Sequence, residues 1–305
     1  RLSAAEQSSS DEVKARRDLL KSADRVLFLG DSITYSGAYV TDVELWMRTQ
    51  EWLPKVPHVI NTGLSSETVS GLSEEDHAGG QFPRPDLATR LDSVLKTTKP
   101  DLVFACYGMN CGIYKPLDEK RFEKYQDGIR LLQQKVKATG AELILITPPY
   151  YDDQVAKGDF SYNAVLTAYS EWLLTLRGEG QPVIDLHSSM QAAVEDRRKA
   201  DPAFTFQKDA VHPDTAGHWA IAQAIIRWFG DEESANADSP TALISEAENA
   251  DEIVALAHQR MAVLRDAYLT AAGHERPRVP QGIAIHDAEK KASELDAQLK
   301  DALKK

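Results

Sequence analysis

A serine, an aspartate and a histidine, Ser32, Asp209 and His212, are the residues of this chain whose types and settings suit nucleophilic chemistry. A serine hydroxyl is a poor nucleophile at neutral pH until a base takes its proton. An imidazole serves best as that base when a carboxylate holds its tautomer and stabilises the charge it gains. Asp209 and His212 lie three apart in an irregular stretch, 201–213, where both side chains can reach inward and Pro213 fixes the end. Acyl transfer also needs donors for the oxyanion of its tetrahedral intermediate, each worth about 3 kcal/mol to the transition state. The backbone N–H groups of Ser32 and Gly63 and the side-chain amide of Asn110 are the candidates. Taken alone, Asp31-Ser32 reads more simply as a turn or helix cap, and only the other residues make it chemical.

These residues need a frame to bring them together. The run Val-Leu-Phe-Leu at 26–29 is short and wholly apolar, as suits a strand buried on both faces, and Gly30-Asp31 breaks it. Further strands are predicted at 56–60, 102–106, 143–146 and 183–186. Helices are predicted from Thr41, as cap, through Trp52, and over 86–96, 117–139, 162–176, 189–199 and 214–229. Alternating strands and helices imply right-handed crossovers and a parallel, doubly wound sheet. The common flavodoxin-like order 2-1-3-4-5 puts strands 1 and 3 side by side at the switch point. That order gathers the loops of Ser32 and Asn110, with the Gly63 loop flanking them. The expected fold is α/β, a three-layer α/β/α domain over 25–230 with a five-stranded parallel sheet. An N-terminal helical segment, 1–24, precedes it, and the acidic stretch 231–240 reads as a linker. Residues 241–305 read as a C-terminal helical appendage packed on the sheet domain, because about 65 residues in two helices bury little alone. The stretch 74–85, with His77, Phe82 and several glycines and prolines, is predicted irregular and long enough to be functional.

Composition excludes other classes. A net charge of -12 and a pI near 5.2 argue against nucleic-acid or anionic-membrane partners. No run reaches the 18 or so apolar residues of a membrane-spanning helix. Cys106 and Cys111 are too few for a disulfide scaffold or a zinc site, and free thiols are favoured over a local disulfide. No phosphate-binding loop or metal constellation is present, so no cofactor and no metal are expected. The chain starts at Arg1, and its polar stretch 2–11 fits the start of a mature exported bacterial protein, periplasmic or extracellular. It fits a trimmed chain equally.

Gly30-Asp31-Ser32, the Gly63 loop, Gly108-Met109-Asn110 and Asp209-Ala-Val-His212, in this order and after these strands, resemble the four blocks of the SGNH (GDSL-type) hydrolases. The resemblance covers roughly residues 25–229. It implies the SGNH hydrolase fold, with Ser32 as nucleophile, His212 as base, Asp209 as orienting acid, and Ser32, Gly63 and Asn110 as oxyanion hole. Two departures stand out: Cys111 replaces the acid that usually follows the Asn110 position, and Ser65-Ser66-Glu67 lacks a second glycine common near position 66. The first implies altered loop packing, the second an altered pocket. Asp31, Tyr35, His77, Phe82, Tyr150 and Tyr151, at the active end, are the expected substrate contacts. His187 reads as structural. The leading reading is a serine esterase that removes short acyl groups, acetyl above all, from a carbohydrate through an acyl-serine intermediate. Its carbohydrate part rests on family habits, the polar 74–85 loop and the lack of a long apolar lid. Alternatives are a lysophospholipase, thioesterase or general arylesterase, and a catalytically silent binding module.

Overall fold

The computed structural model describes residues 4–245 and 247–303. The first three residues of the expected helical start, Glu246 and the final two lysines lie outside them. After α1 (Ala4–Ser22), the fully buried run Val26 to Leu29 forms β1 (Arg25–Gly30), an interior strand of the sheet. Strands β2 (His58–Asn61), β3 (Leu102–Cys106), β4 (Glu142–Ile146) and β5 (Val183–Ile184) complete it in the order β2-β1-β3-β4-β5. Every pairing is parallel. Gly30 pairs in register with Cys106, so the chain leaves β1 and β3 at the same height, and Ser32 and Asn110 start from one edge.

Side-chain caps set most helix starts. The short α2 (Ser32–Ser36) ends at Gly37, whose φ of 83° lets α3 (Ala38–Thr49) begin at once. The helix predicted from Thr41 to Trp52 therefore lies further back along the chain. Thr41 is buried inside α3 and donates back to the Gly37 carbonyl (3.1 Å), while Trp52 falls beyond its end. Asp86 caps α4 (Leu87–Thr98), Asp118 caps α5 (Glu119–Ala138), and α6 (Asp153–Ala156) leads to α7 (Tyr162–Thr175), capped by Ser161. Asp185 accepts the Ser188 N–H (3.1 Å) and starts α8 (Leu186–Arg198). That cap shortens the fifth strand and begins the helix ahead of the expected residue 189. Asp214 caps α9 (Thr215–Trp228), which packs against α3, while α4 packs against α5.

The acidic stretch 231–240 is tied down. It holds α10 (Glu232–Ala235), with Ala235 buried, Asp231 accepting from the Trp46 indole (2.8 Å) and the Ala237 carbonyl accepting from the Trp219 indole (2.8 Å). Beyond it, α11 (Ala250–Ala271) lies against α3, α4 and β2 and pairs with α12 (Ile285–Ala302). Buried Arg260 on α11 reaches buried Glu44 on α3 (3.2 Å) and Asp296 on α12 (2.8 Å), joining three helices. Among the described residues no helix is long and apolar enough to cross a membrane.

Helix α5 approaches the loop after β2 so closely that only glycine fits at position 128. A Cβ there would lie 1.9 Å from the Val69 carbonyl oxygen. Alanine is the better helix former by about 1 kcal/mol, but forcing an atom into a filled contact costs about 1–3 kcal/mol. Gly128→Ala is therefore expected to lower the urea midpoint of unfolding, and an unchanged or raised midpoint would contradict this contact.

Candidate active site

Ser32 stands at the first position of α2 because Asp31 makes the turn before it. The Asp31 carboxylate is buried and accepts the Ile33 N–H (3.0 Å), while its carbonyl accepts the Tyr35 N–H (2.8 Å). Asp31 was expected to meet substrate; its side chain instead shapes the turn that presents Ser32. Burial pushes this carboxyl up to about 6, against the pull of the Ile33 N–H, His212 and Arg84.

Across the site, Ser32 Oγ lies 2.9 Å from His212 Nε2, and His212 Nδ1 lies 2.7 Å from Asp209 Oδ2. The other Asp209 oxygen accepts the backbone N–H groups of Val211 (3.0 Å) and His212 (2.7 Å). Burial raises the Asp209 carboxyl, but these N–H groups and the imidazole outweigh it and hold it below its ordinary value. The tight turn forces Ala210 to a φ of 71°, a left-handed backbone that costs a non-glycine residue about 1 kcal/mol.

That strained loop is anchored from the loop after β4 and from α8. Asp152, fully buried, donates its N–H to the Ala210 carbonyl (3.1 Å) and accepts from Thr205 Oγ1 (2.5 Å) and both ways from Arg198 Nη2 (2.9 and 2.7 Å). Gln207 donates to the Tyr150 carbonyl (2.6 Å). Tyr150, another expected substrate contact, is mostly buried, with its hydroxyl 3.4 Å from Arg198. Sequence reasoning passed over Asp152; the one signal was a pair of acids directly after the Tyr150-Tyr151 pair in the loop following β4.

The expected oxyanion donors are not all free. Gly63 N–H is taken by Asn61 Oδ1 (2.8 Å), so it is no free donor. Gly63 is needed for space: a Cβ there would lie 2.5 Å from Tyr35 N, because the loop packs directly on α2. Three residues on, Ser66 adopts a φ of 69°, and its N–H has no acceptor among the described residues. The absent second glycine marked this position. Next to it, the Glu67 carbonyl accepts from Asn110 Nδ2 (3.3 Å), while Tyr114 donates to Asn110 Oδ1 (3.1 Å). These two bonds fix the amide and leave one Nδ2 hydrogen for an incoming oxygen. The buried Glu67 carboxylate holds the loop from beneath, accepting from Arg90 (2.5 and 2.6 Å) and Tyr107 (2.6 Å).

Of the remaining expected contacts, Tyr35, His77, Phe82 and Tyr151 are half-buried. His77 meets Phe82 edge-on at 5.5 Å, and Tyr151 meets Tyr162 edge-on at 5.1 Å. His187 is buried and bonded to Thr167 (2.9 Å) and the Pro148 carbonyl (3.3 Å). Cys106 and Cys111 are free and buried, and burial pushes the Cys111 thiol up to about 12. Among the described residues no group of His, Cys, Asp and Glu could hold a metal.

The GDSL-like lipase/acylhydrolase family model matches residues 28–220, and the chain belongs to that family. It is a serine hydrolase acting on carboxylic esters. An acetylxylan esterase of Geobacillus stearothermophilus is 26% identical over 239 residues, 68% of this chain and 95% of that relative. The crystal structure of Axe2, an acetylxylan esterase of the same organism, matches with a TM-score of 0.51 at 22% identity, over 68% of this chain and 94% of its own. LAE5, an α/β hydrolase from the metagenome of Lake Arreo in Spain, matches at 0.51 and 21% identity, over 68% and 96%. At these identities the two structures speak for the fold alone.

The raised carboxyl of Asp31 has a measurable consequence. Its folded value of about 6 lies above the ordinary 3.8, so its contribution to stability is full at pH below 3.8 and is lost as pH rises through about 6. Asn caps a helix as well as Asp does. Asp31→Asn is therefore expected to be more stable than the wild type at pH 8, by on the order of 3 kcal/mol, and to lose that advantage at pH 4. Thermal melts at both pH values check this, and equal midpoints at pH 8 would count against the buried charge.

Proposed function

We propose that this chain removes acetyl groups from a carbohydrate through an acyl-serine intermediate at Ser32. The observation that carries the reading is the continuous hydrogen-bonded path from Ser32 Oγ to His212 Nε2 (2.9 Å) and from His212 Nδ1 to Asp209 (2.7 Å). Ser32 Oγ attacks the ester carbonyl while His212 takes its proton, and Asp209 holds the ring and stabilises the imidazolium. The oxyanion is met by the N–H groups of Ser32 and Ser66 and by Asn110 Nδ2, with Ser66 taking the part first expected of Gly63. Collapse breaks the bond to the sugar oxygen, which takes the proton from His212 and leaves as a hydroxyl. His212 then activates a water that frees acetate from Ser32.

Two further observations favour this reading. Matched structures of Axe2 include catalytic mutants altered at a serine, at an aspartate and at a histidine three positions after that aspartate. Asp209 and His212 have the same spacing. Moreover, among the described residues the exposed large apolar side chains are Leu117, Phe160 and Ile283, far apart in the chain.

Hydrolysis of p-nitrophenyl esters and release of acetate from acetylated xylo-oligosaccharides test the proposal. The wild type is expected to prefer acetate over octanoate, with Ser32→Ala lowering kcat by about 10⁴-fold or more and Asp209→Asn by about 10³–10⁴-fold. Equal rates for wild type and Ser32→Ala would remove the enzyme reading, and a preference for octanoate would remove the deacetylase one.

A further inference from the structure

The C-terminal segment sends arginines to the rim of the Ser32 site. Arg265 on α11 donates to the Tyr35 carbonyl (2.8 Å) and lies 4.2 Å above the Tyr35 ring. In the loop between α11 and α12, Arg276 donates to the Ser65 carbonyl (2.9 Å) and to Ser66 Oγ (3.3 Å), so it touches the loop proposed to hold the oxyanion. Arg276 and Arg278 both lie over Phe82, at 5.2 and 5.9 Å, and Arg278 also bonds Gln81. Arg84 completes the group, 5.3 Å over Tyr114 and 3.5 Å from the Ser66 carbonyl.

Charge balance separates these arginines. Arg84 is met by Glu74, Arg265 by Asp266, and the buried Arg90 by Glu67. Arg276 and Arg278 form no ion pair among the described residues. Of the nearby acids, Glu67 pairs with Arg90, Asp86 caps α4, and exposed Glu275 forms no ion pair with either arginine. Burial, with Arg278 and Arg84 close by, pulls Arg276 below its ordinary value. A cavity of about 400 Å³ lies beside Arg276, lined by Arg84, Arg90 and His274 and by the acids Glu67, Asp86 and Glu275. Arg90 Nη1 and both ring nitrogens of His274 are buried without partners. Cationic donors held partly out of water without a counter-ion are stabilised when an anion arrives, and a guanidinium fork matches two oxygens of a carboxylate or sulfate. In a chain of net charge -12 such a patch is the opposite of the surface average.

We propose that Arg276 and Arg278 bind an anionic group, a carboxylate or a sulfate ester, on the sugar beside the acetyl ester, so that the substrate is an acidic acetylated saccharide. This rests on the proposed deacetylase activity of Ser32. The test compares the full chain on acetylated oligogalacturonides, acetylated sulfated oligosaccharides and acetylated xylo-oligosaccharides. The wild type is expected to favour one acidic class over the neutral one by about tenfold or more in kcat/KM, mainly through KM, with the preference shrinking between about 0.05 and 0.5 M NaCl. Which acidic class wins identifies the anion. Arg278→Gln is expected to lower the acidic-to-neutral ratio, the double variant Arg276→Gln/Arg278→Gln to bring it near one, and Arg278→Lys to keep most of it. A wild-type ratio of one, or a ratio unchanged in the double variant, overturns the proposal. Calorimetric binding of unacetylated oligogalacturonate or sulfated oligosaccharide to Ser32→Ala separates the two readings. Binding without any esterase activity in the wild type would remove the deacetylase reading and leave the anion site standing, and no binding would remove the anion site.

Discussion

One hydrogen bond sets the terms for the whole domain: Ser32 Oγ and His212 Nε2, 180 positions apart in the chain, must lie 2.9 Å from each other. Neither residue is held by its own stretch of sequence alone. Ser32 is placed by β1 and the Asp31 turn, His212 by the loop between α8 and α9. The parallel sheet makes the meeting possible, because every strand ends at the same edge and every return passes through a helix. An error in strand order would leave two intact halves of a site with nothing between them.

Buried charges do the finer positioning. Glu67 with Arg90 and Tyr107 supports the loop of Ser66, and Asp152 with Arg198 and Thr205 supports the loop of Asp209 and His212. Apolar packing alone would tolerate small slides of either loop, whereas a buried carboxylate that loses a partner is left with an uncompensated charge. The same device ties the C-terminal helices down, through Arg260 with Glu44 and Asp296.

The sheet was legible in the sequence because strands buried on both faces read as plain apolar runs between turn residues, and parallel topology leaves few orders to choose from. Ser32, Asp209 and His212 were legible for a similar reason: their residue types are rare in combination and sit at strand ends or in a short loop. Gly63 misled because a glycine signals close approach without saying to what; here the close partner is the backbone of α2, and Ser66 carries the free N–H. Thr41 misled because its hydroxyl has the chemistry of a cap, while the actual break is the left-handed Gly37. Asp152 and the pairing of Arg276 with Ser65 depend on contacts across 46 or more positions, and no local spacing encodes those.

The parallel topology also imposes a timetable. Chain synthesis runs from β1 toward α9, so Ser32 and its turn emerge early, while His212 follows only after four more strands and their helices. Contacts of such long separation form slowly, since loop closure must precede the reward. A nascent chain halted before residue 212 holds Ser32 without its hydrogen-bond partner. The contact on which the proposed chemistry rests therefore waits until the sheet has been assembled.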